Sequence, residues 1–142
     1  MKPECRILSL LFMASLVLLT VLAYQVIGMA EVVDIPDPNL RKVLKEVLQI
    51  NAGQDITTEA LAELERLDAS NRDITNLSGL EHCTGLIRLH LSQNQLTGLT
   101  GLANLTNLTK LNLNYNKISA ISPLAKLTNL TILGLFHNQL SD

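Results

Sequence analysis

From Leu67 onward the sequence repeats every 22 residues without a gap, and this period limits the possible folds more than any other feature. The units are 67–88, 89–110 and 111–132, and a fourth, 133–142, stops before half its length. Leu67, Leu89, Leu111 and Leu133 share one phase, and Ile74, Leu96, Ile118 and Leu140 share another. A period of this size signals copies of one unit stacked side by side. Leu89-His90-Leu91 and Leu111-Asn112-Leu113 alternate apolar and polar, so each reads as a short strand with one buried face. One copy cannot bury its own leucines. Stacking places strand beside strand at ~4.8 Å and joins the leucines into a common column. The return limb (Leu99 to Leu102, then Leu105 and Leu108) is too short for long helices, so short 3₁₀ or irregular turns are expected there.

Leaving each strand strands backbone N–H and C=O groups inside the turn. Asn94, Asn116 and Asn138 fall in one column at that point. Their amides both donate and accept, and can satisfy groups that cost ~1–3 kcal/mol each when buried unpaired. Arg72 holds this position in the first unit, and Cys83 replaces a core leucine.

The 22-residue length and the LTNL-x-x-L-x-L-x-x-N wording resemble leucine-rich repeats of the bacterial internalin-like class. The resemblance covers 67–142 and implies an α/β solenoid with short parallel strands on its concave face. It also implies protein–protein recognition, often at a cell surface.

An open stack needs a cover, and residues 31–66 are read as a helical N-terminal cap. Asp37-Pro38 reads as an N-cap followed by proline at the first helical position. Leu40, Val43, Leu44, Val47 and Leu48 then share a face, and Gly53 breaks the pattern. Thr57 can cap a second helix from Thr58 to about Arg66. The wording IPDPNLRKVLKEVL…DITTEALAEL resembles the helical cap that precedes internalin repeats. No D-x-[DN]-x-[DN]-G loop is present, so no calcium site follows from that resemblance. Residues 1–30 read as an export signal: Lys2 and Arg6, an uncharged stretch from Ile7 to Ala23, then Gly28-Met29-Ala30 before Glu31. The competing expectation is an uncleaved membrane anchor over residues 7–30. Either way the remainder is expected outside the cytosol, secreted or at the cell surface.

Nothing in the pattern points to catalysis or to a cofactor. His90 and His137 lie two strands apart, ~10 Å, and in different columns, so no metal pair is expected. No G-x-S-x-G and no glycine-rich phosphate loop occur. A net charge of −2 gives no overall case for nucleic acid. Asn76, Asn104, Asn107 and Asn129 each open an N-x-[ST] triplet, read here as repeat wording on the convex turns.

Binding is the function this architecture suits. The outward strand positions form columns: Arg66, Arg88, Lys110, Ile132; then Asp68, His90, Asn112, Gly134; then Ser70, Ser92, Asn114, Phe136. Asn71, Gln93, Tyr115 and His137 run beside them. The expected contact set is Arg88, His90, Lys110, Asn112, Asn114, Tyr115, Phe136 and His137, and the partner a protein, a peptide or a glycan. The alternative is that 31–142 opens a longer solenoid whose ligand site lies in further C-terminal repeats.

Overall fold

A computed structural model describes residues 31–140. The signal or anchor expected over residues 1–30 lies outside the described residues.

Helix α1 spans Pro38–Val47. Asp37 is its N-cap, and one carboxylate oxygen accepts from Asn39 N and Leu40 N, each at 3.0 Å. Leu40, Val43 and Leu44 are buried. Leu48, half-buried, still packs against the core, whereas Val47 departs from the expected face and is exposed. The helix ends at Val47, and Gln49 turns the chain away at φ 55°. Gly53, expected to break the helix, lies in the following turn at φ 87°.

Helix α2 starts where the sequence placed it, with the Thr57 hydroxyl accepting Ala60 N at 3.3 Å. It covers only Thr58–Ala62, four residues short of the expected end. The shortfall has a cause in the sheet. Glu65 O accepts both Ile87 N (2.8 Å) and Arg88 N (3.1 Å), so the chain must already be extended at that point.

Four three-residue strands follow: β1 (Arg66–Asp68), β2 (Arg88–His90), β3 (Lys110–Asn112) and β4 (Ile132–Gly134). They form one parallel sheet in sequence order. Register is the repeat register: Arg66, Arg88, Lys110 and Ile132 are mutual partners, as are Leu67, Leu89, Leu111 and Leu133. Each strand begins one residue earlier than the leucine alternation suggested, because pairing extends to the charged residue before the first leucine. The return limbs contain short 3₁₀ turns at Leu80–His82, Thr100–Leu102 and Ser122–Lys126.

The core is the leucine columns. Leu80, Leu86, Leu91, Leu96, Leu102, Leu105 and Leu108 are fully buried, each contributing roughly 1.5–3 kcal/mol by transfer from water. Cys83 joins them, and burial, with Glu81 nearby, pushes its thiol up to about 12. Two glycines set how closely repeats approach. A Cβ on Gly85 would sit 2.3 Å from Ala62 O, and one on Gly101 would sit 2.3 Å from Leu77 O.

The asparagine column works across repeats. Asn94 Oδ1 accepts Ile74 N (2.9 Å) and Arg72 N (3.2 Å) from the preceding unit. Its Nδ2 donates to Ala69 O (2.8 Å) and to Leu91 O (3.0 Å). Asn116 and Asn138 repeat the pattern one and two units on. Each asparagine therefore serves the unit before its own. Arg72 has no such unit before it, so the missing asparagine leaves nothing unpaired. Asp37 binds other groups of the first unit: its second oxygen accepts Thr75 N (2.8 Å), the Thr75 hydroxyl (3.0 Å) and Asn76 N (3.1 Å). Burial works against the charge, but these bonds and the one from Leu40 N outweigh it and hold the carboxyl below the usual aspartate range.

Candidate binding surface

In β1, β2 and β3 the middle residue is buried in the core and the two flanking residues face outward, whereas in β4 the middle residue, Leu133, is itself exposed. The outward face is hollowed. A depression of about 470 Å³ is lined by Arg66, Arg88, Lys110 and Ile132 on one side. Asp68, His90, Asn112, Gly134 and Asn114 line the other.

A polar row crosses this floor. Asn112 Oδ1 accepts Asn114 N at 3.0 Å, which fixes the amide's orientation. Asn112 Nδ2 then faces His90 Nε2 at 2.7 Å. An amide nitrogen only donates, so the neutral ring accepts at Nε2 and carries its proton on Nδ1, facing Asp68 Oδ2 at 3.7 Å. Asp68 is held by the Ser70 hydroxyl at 2.6 Å. That bond, aided by Ser70 N and His90 and opposed by partial burial, lowers its carboxyl below the usual range. Ser92 Oγ also lies 3.1 Å from His90 Nε2. Asp68, His90 and Ser92 thus stand in the order of an acid–base–nucleophile relay, an arrangement that sequence spacing alone did not reveal. The Asn112 amide already occupies the nitrogen that would take the serine proton, so the row is a fixed polar floor. Among the described residues no three His, Cys, Asp or Glu side chains converge as a metal site needs.

Beside the hollow stands an aromatic cluster. Tyr115 and His137 stack with centroids 4.6 Å apart. Phe136 meets Tyr115 edge-on at 6.0 Å and His137 at 4.1 Å. Tyr115 is 49 % exposed and Phe136 64 %. The Asn114 carboxamide accepts Phe136 N at 2.8 Å and so ties the cluster to the floor. The sequence reading put these aromatics on adjacent strands, and that requires correction. β3 ends at Asn112 and β4 at Gly134, so the aromatics sit on the turns just beyond. Tyr115 and His137 have φ of 57° and 53°, as do Asn71 and Gln93 at the same repeat position. Their backbone N–H groups still extend the pairing, as in Tyr115 N to Phe136 O at 2.8 Å. The eight expected contact residues are therefore brought together in two adjoining groups, a floor and a rim.

On the return side, Asn107 Nδ2 donates to Thr84 O and Asn129 Nδ2 to Thr106 O, both at 2.8 Å. At these two of the four triplets the amide nitrogen holds one repeat to the next.

The family model described as leucine-rich repeats (two copies) matches residues 62–104 and 106–142. The chain belongs to the leucine-rich repeat family. Within it, the chain is internalin-like. An internalin, InlF, of Listeria monocytogenes is 36 % identical with a TM-score of 0.73, over 76 % of this chain and 32 % of that one. The functional domain of InlJ from Listeria monocytogenes is 31 % identical with a TM-score of 0.72, over 80 % of this chain and 26 % of that one. InlJ is described as including a cysteine ladder; the repeats here hold a single cysteine, Cys83. A structure of CBM51-2 in complex with GlcNAc and INT domains from Clostridium perfringens ZmpB is 30 % identical, with a TM-score of 0.58 over 66 % of this chain and 20 % of that one. This leucine-rich repeat chain thus spans about a third or less of the proteins it resembles. No curated protein sequence matches it.

Proposed function

We propose that this chain is an exported binding module that recognises a protein or peptide on its hollowed sheet face. Residues 31–66 act as the cap that covers the leucines of the first repeat, and residues 1–30 direct export. The contact residues are Arg88, His90, Lys110, Asn112 and Asn114 on the floor and Tyr115, Phe136 and His137 on the rim. The observation that carries this reading is the aromatic cluster. Three rings packed on one another at an exposed edge contribute little to the core, and exposed aromatics are the residue types that anchor interfaces. Leucine-rich repeat domains generally bind proteins, in keeping with this use of the face. A glycan is the alternative ligand.

The test is selection of a random dodecapeptide display library on the full-length protein, followed by hydrogen exchange with and without the selected peptide. Protection over 88–92, 110–115 and 132–137 supports the reading. Protection confined to the return turns, 99–108 and 121–130, overturns it.

A second reading is favoured by the lengths of the relatives. The matched internalins extend well beyond the region shared with this chain, and in that reading the ligand contacts lie mainly on further repeats, with 31–140 as their support.

A further inference from the structure

The outward column that opens the strands is cationic for three positions and then apolar. Arg66, Arg88 and Lys110 are direct cross-strand partners, and Ile132 continues them in register. All three cationic residues are exposed. Adjacent strands lie ~4.8 Å apart, so three like charges stand in a row, an arrangement that destabilises a sheet unless something offsets it. Among the described residues Arg41 pairs with Asp34 and Arg72 with Glu46, while Asp68 faces the His90 ring, and none of these contacts involves the three. The acid on this face, Asp68, is committed to Ser70 and His90.

We propose that this column is the docking site for an acidic segment of a partner protein, lying across the strands with carboxylates on Arg66, Arg88 and Lys110. The inference rests on the sheet-face reading above and names the chemistry of its ligand. A row of three charges spans ~10 Å, too long for one carboxylate or phosphate and suited to two or three acidic side chains of an extended chain. What favours a peptide over a polyanionic glycan is the change of character at the fourth strand. Ile132 is 54 % exposed, and Phe136 stands two positions past Gly134 on the same strand exit. Gly134 between them is closed over by the Asn114 and Asn112 carboxamide oxygens, 2.9 and 3.1 Å from where a Cβ would sit, so the apolar contact is offered by the Ile132 and Phe136 side chains themselves. An acidic run followed by an apolar side chain matches this order of three charges and then two exposed apolar side chains. A uniform polyuronate matches only its first three positions.

The experiment sequences the peptides enriched by the display selection and measures their affinity for the full-length protein and for R88E/K110E. Polygalacturonate oligomers serve as the glycan probe. The expected result is a pool enriched several-fold in paired Asp and Glu followed by an apolar residue, binding at least tenfold weaker to R88E/K110E and weakening steeply with salt. Enrichment of uncharged peptides that bind R88E/K110E equally but lose affinity for F136A overturns the acidic ligand and leaves the sheet-face reading standing. Protection confined to the return turns removes both. Tight binding of polygalacturonate with no acidic enrichment overturns the proposal in favour of a glycan. Circular dichroism of R88E/K110E, both exposed positions, checks that the variant remains folded.

Discussion

The carboxylate of Asp37 reaches Thr75, 38 residues further along the chain, accepting its backbone N–H at 2.8 Å and its hydroxyl at 3.0 Å. The same side chain caps α1 through its other oxygen. One buried acid therefore starts the first helix and fixes that helix to the first repeat.

Asp37→Asn places two N–H donors where one carboxylate oxygen now accepts three. The expected loss is about 2–4 kcal/mol of unfolding free energy at neutral pH, combining a lost cap with unsatisfied buried donors. The pH dependence has a defined sign. The folded-state carboxyl lies below its ordinary value of 3.8. Its stabilisation is therefore complete above that value and is lost as pH falls through it toward the folded-state value. Urea unfolding of both proteins should show a gap that narrows between pH 7 and pH 2. A gap that stays constant across that range contradicts the assignment.

The asparagine column should be graded. Asn94→Ala orphans groups in two repeats, among them the buried Ile74 N, Ala69 O and Leu91 O, and should cost about 3 kcal/mol or more. Asn138 is half-buried, so Asn138→Ala should cost about half as much. Equal losses in chemical denaturation would mean that the amides do not bridge repeats.

Two nearby glycines should respond differently to one methyl group. Gly101→Ala drives a Cβ to 2.3 Å from Leu77 O, whereas Gly98 has nothing within 4 Å of its Cβ position. Overpacking costs ~1–3 kcal/mol, and in a domain of this size each kcal/mol lowers Tm by ~4–8 °C. Thermal melts should show Gly101→Ala falling by at least ~4 °C and Gly98→Ala unchanged or slightly raised. Matching melts would show that repeat spacing is not set by this contact.

Tyr115 holds a left-handed backbone that asparagine tolerates better. Tyr115→Asn should leave stability unchanged or raise it by about 0.5–1 kcal/mol, while weakening ligand binding. A substantial loss of stability would mark the ring as structural.

The period of 22 made the strands, their register, the leucine columns and the asparagine column legible, because each recurs and can be checked against its own copies. What did not recur was hidden. Asp37 occurs once, so its cap role was visible and its reach to Thr75 was not. The end of α2 depended on where the sheet begins, which local helix preference does not encode. The turn geometry at Gln93 and Tyr115 was masked because neither is a residue that signals positive φ. Of the binding face, the columns were readable. The His90–Asn112 contact and the packing of the three rings needed side-chain positions.

The central claim is that the rim aromatics anchor a ligand over the hollowed sheet. It is tested most directly by the Kd of Tyr115→Ala/Phe136→Ala for the display-selected peptide, compared with the unaltered protein and accompanied by a thermal melt. The expected result is an unchanged fold and an affinity lower by about 2 kcal/mol or more, roughly 30-fold in Kd. An unchanged Kd in a folded variant contradicts the claim.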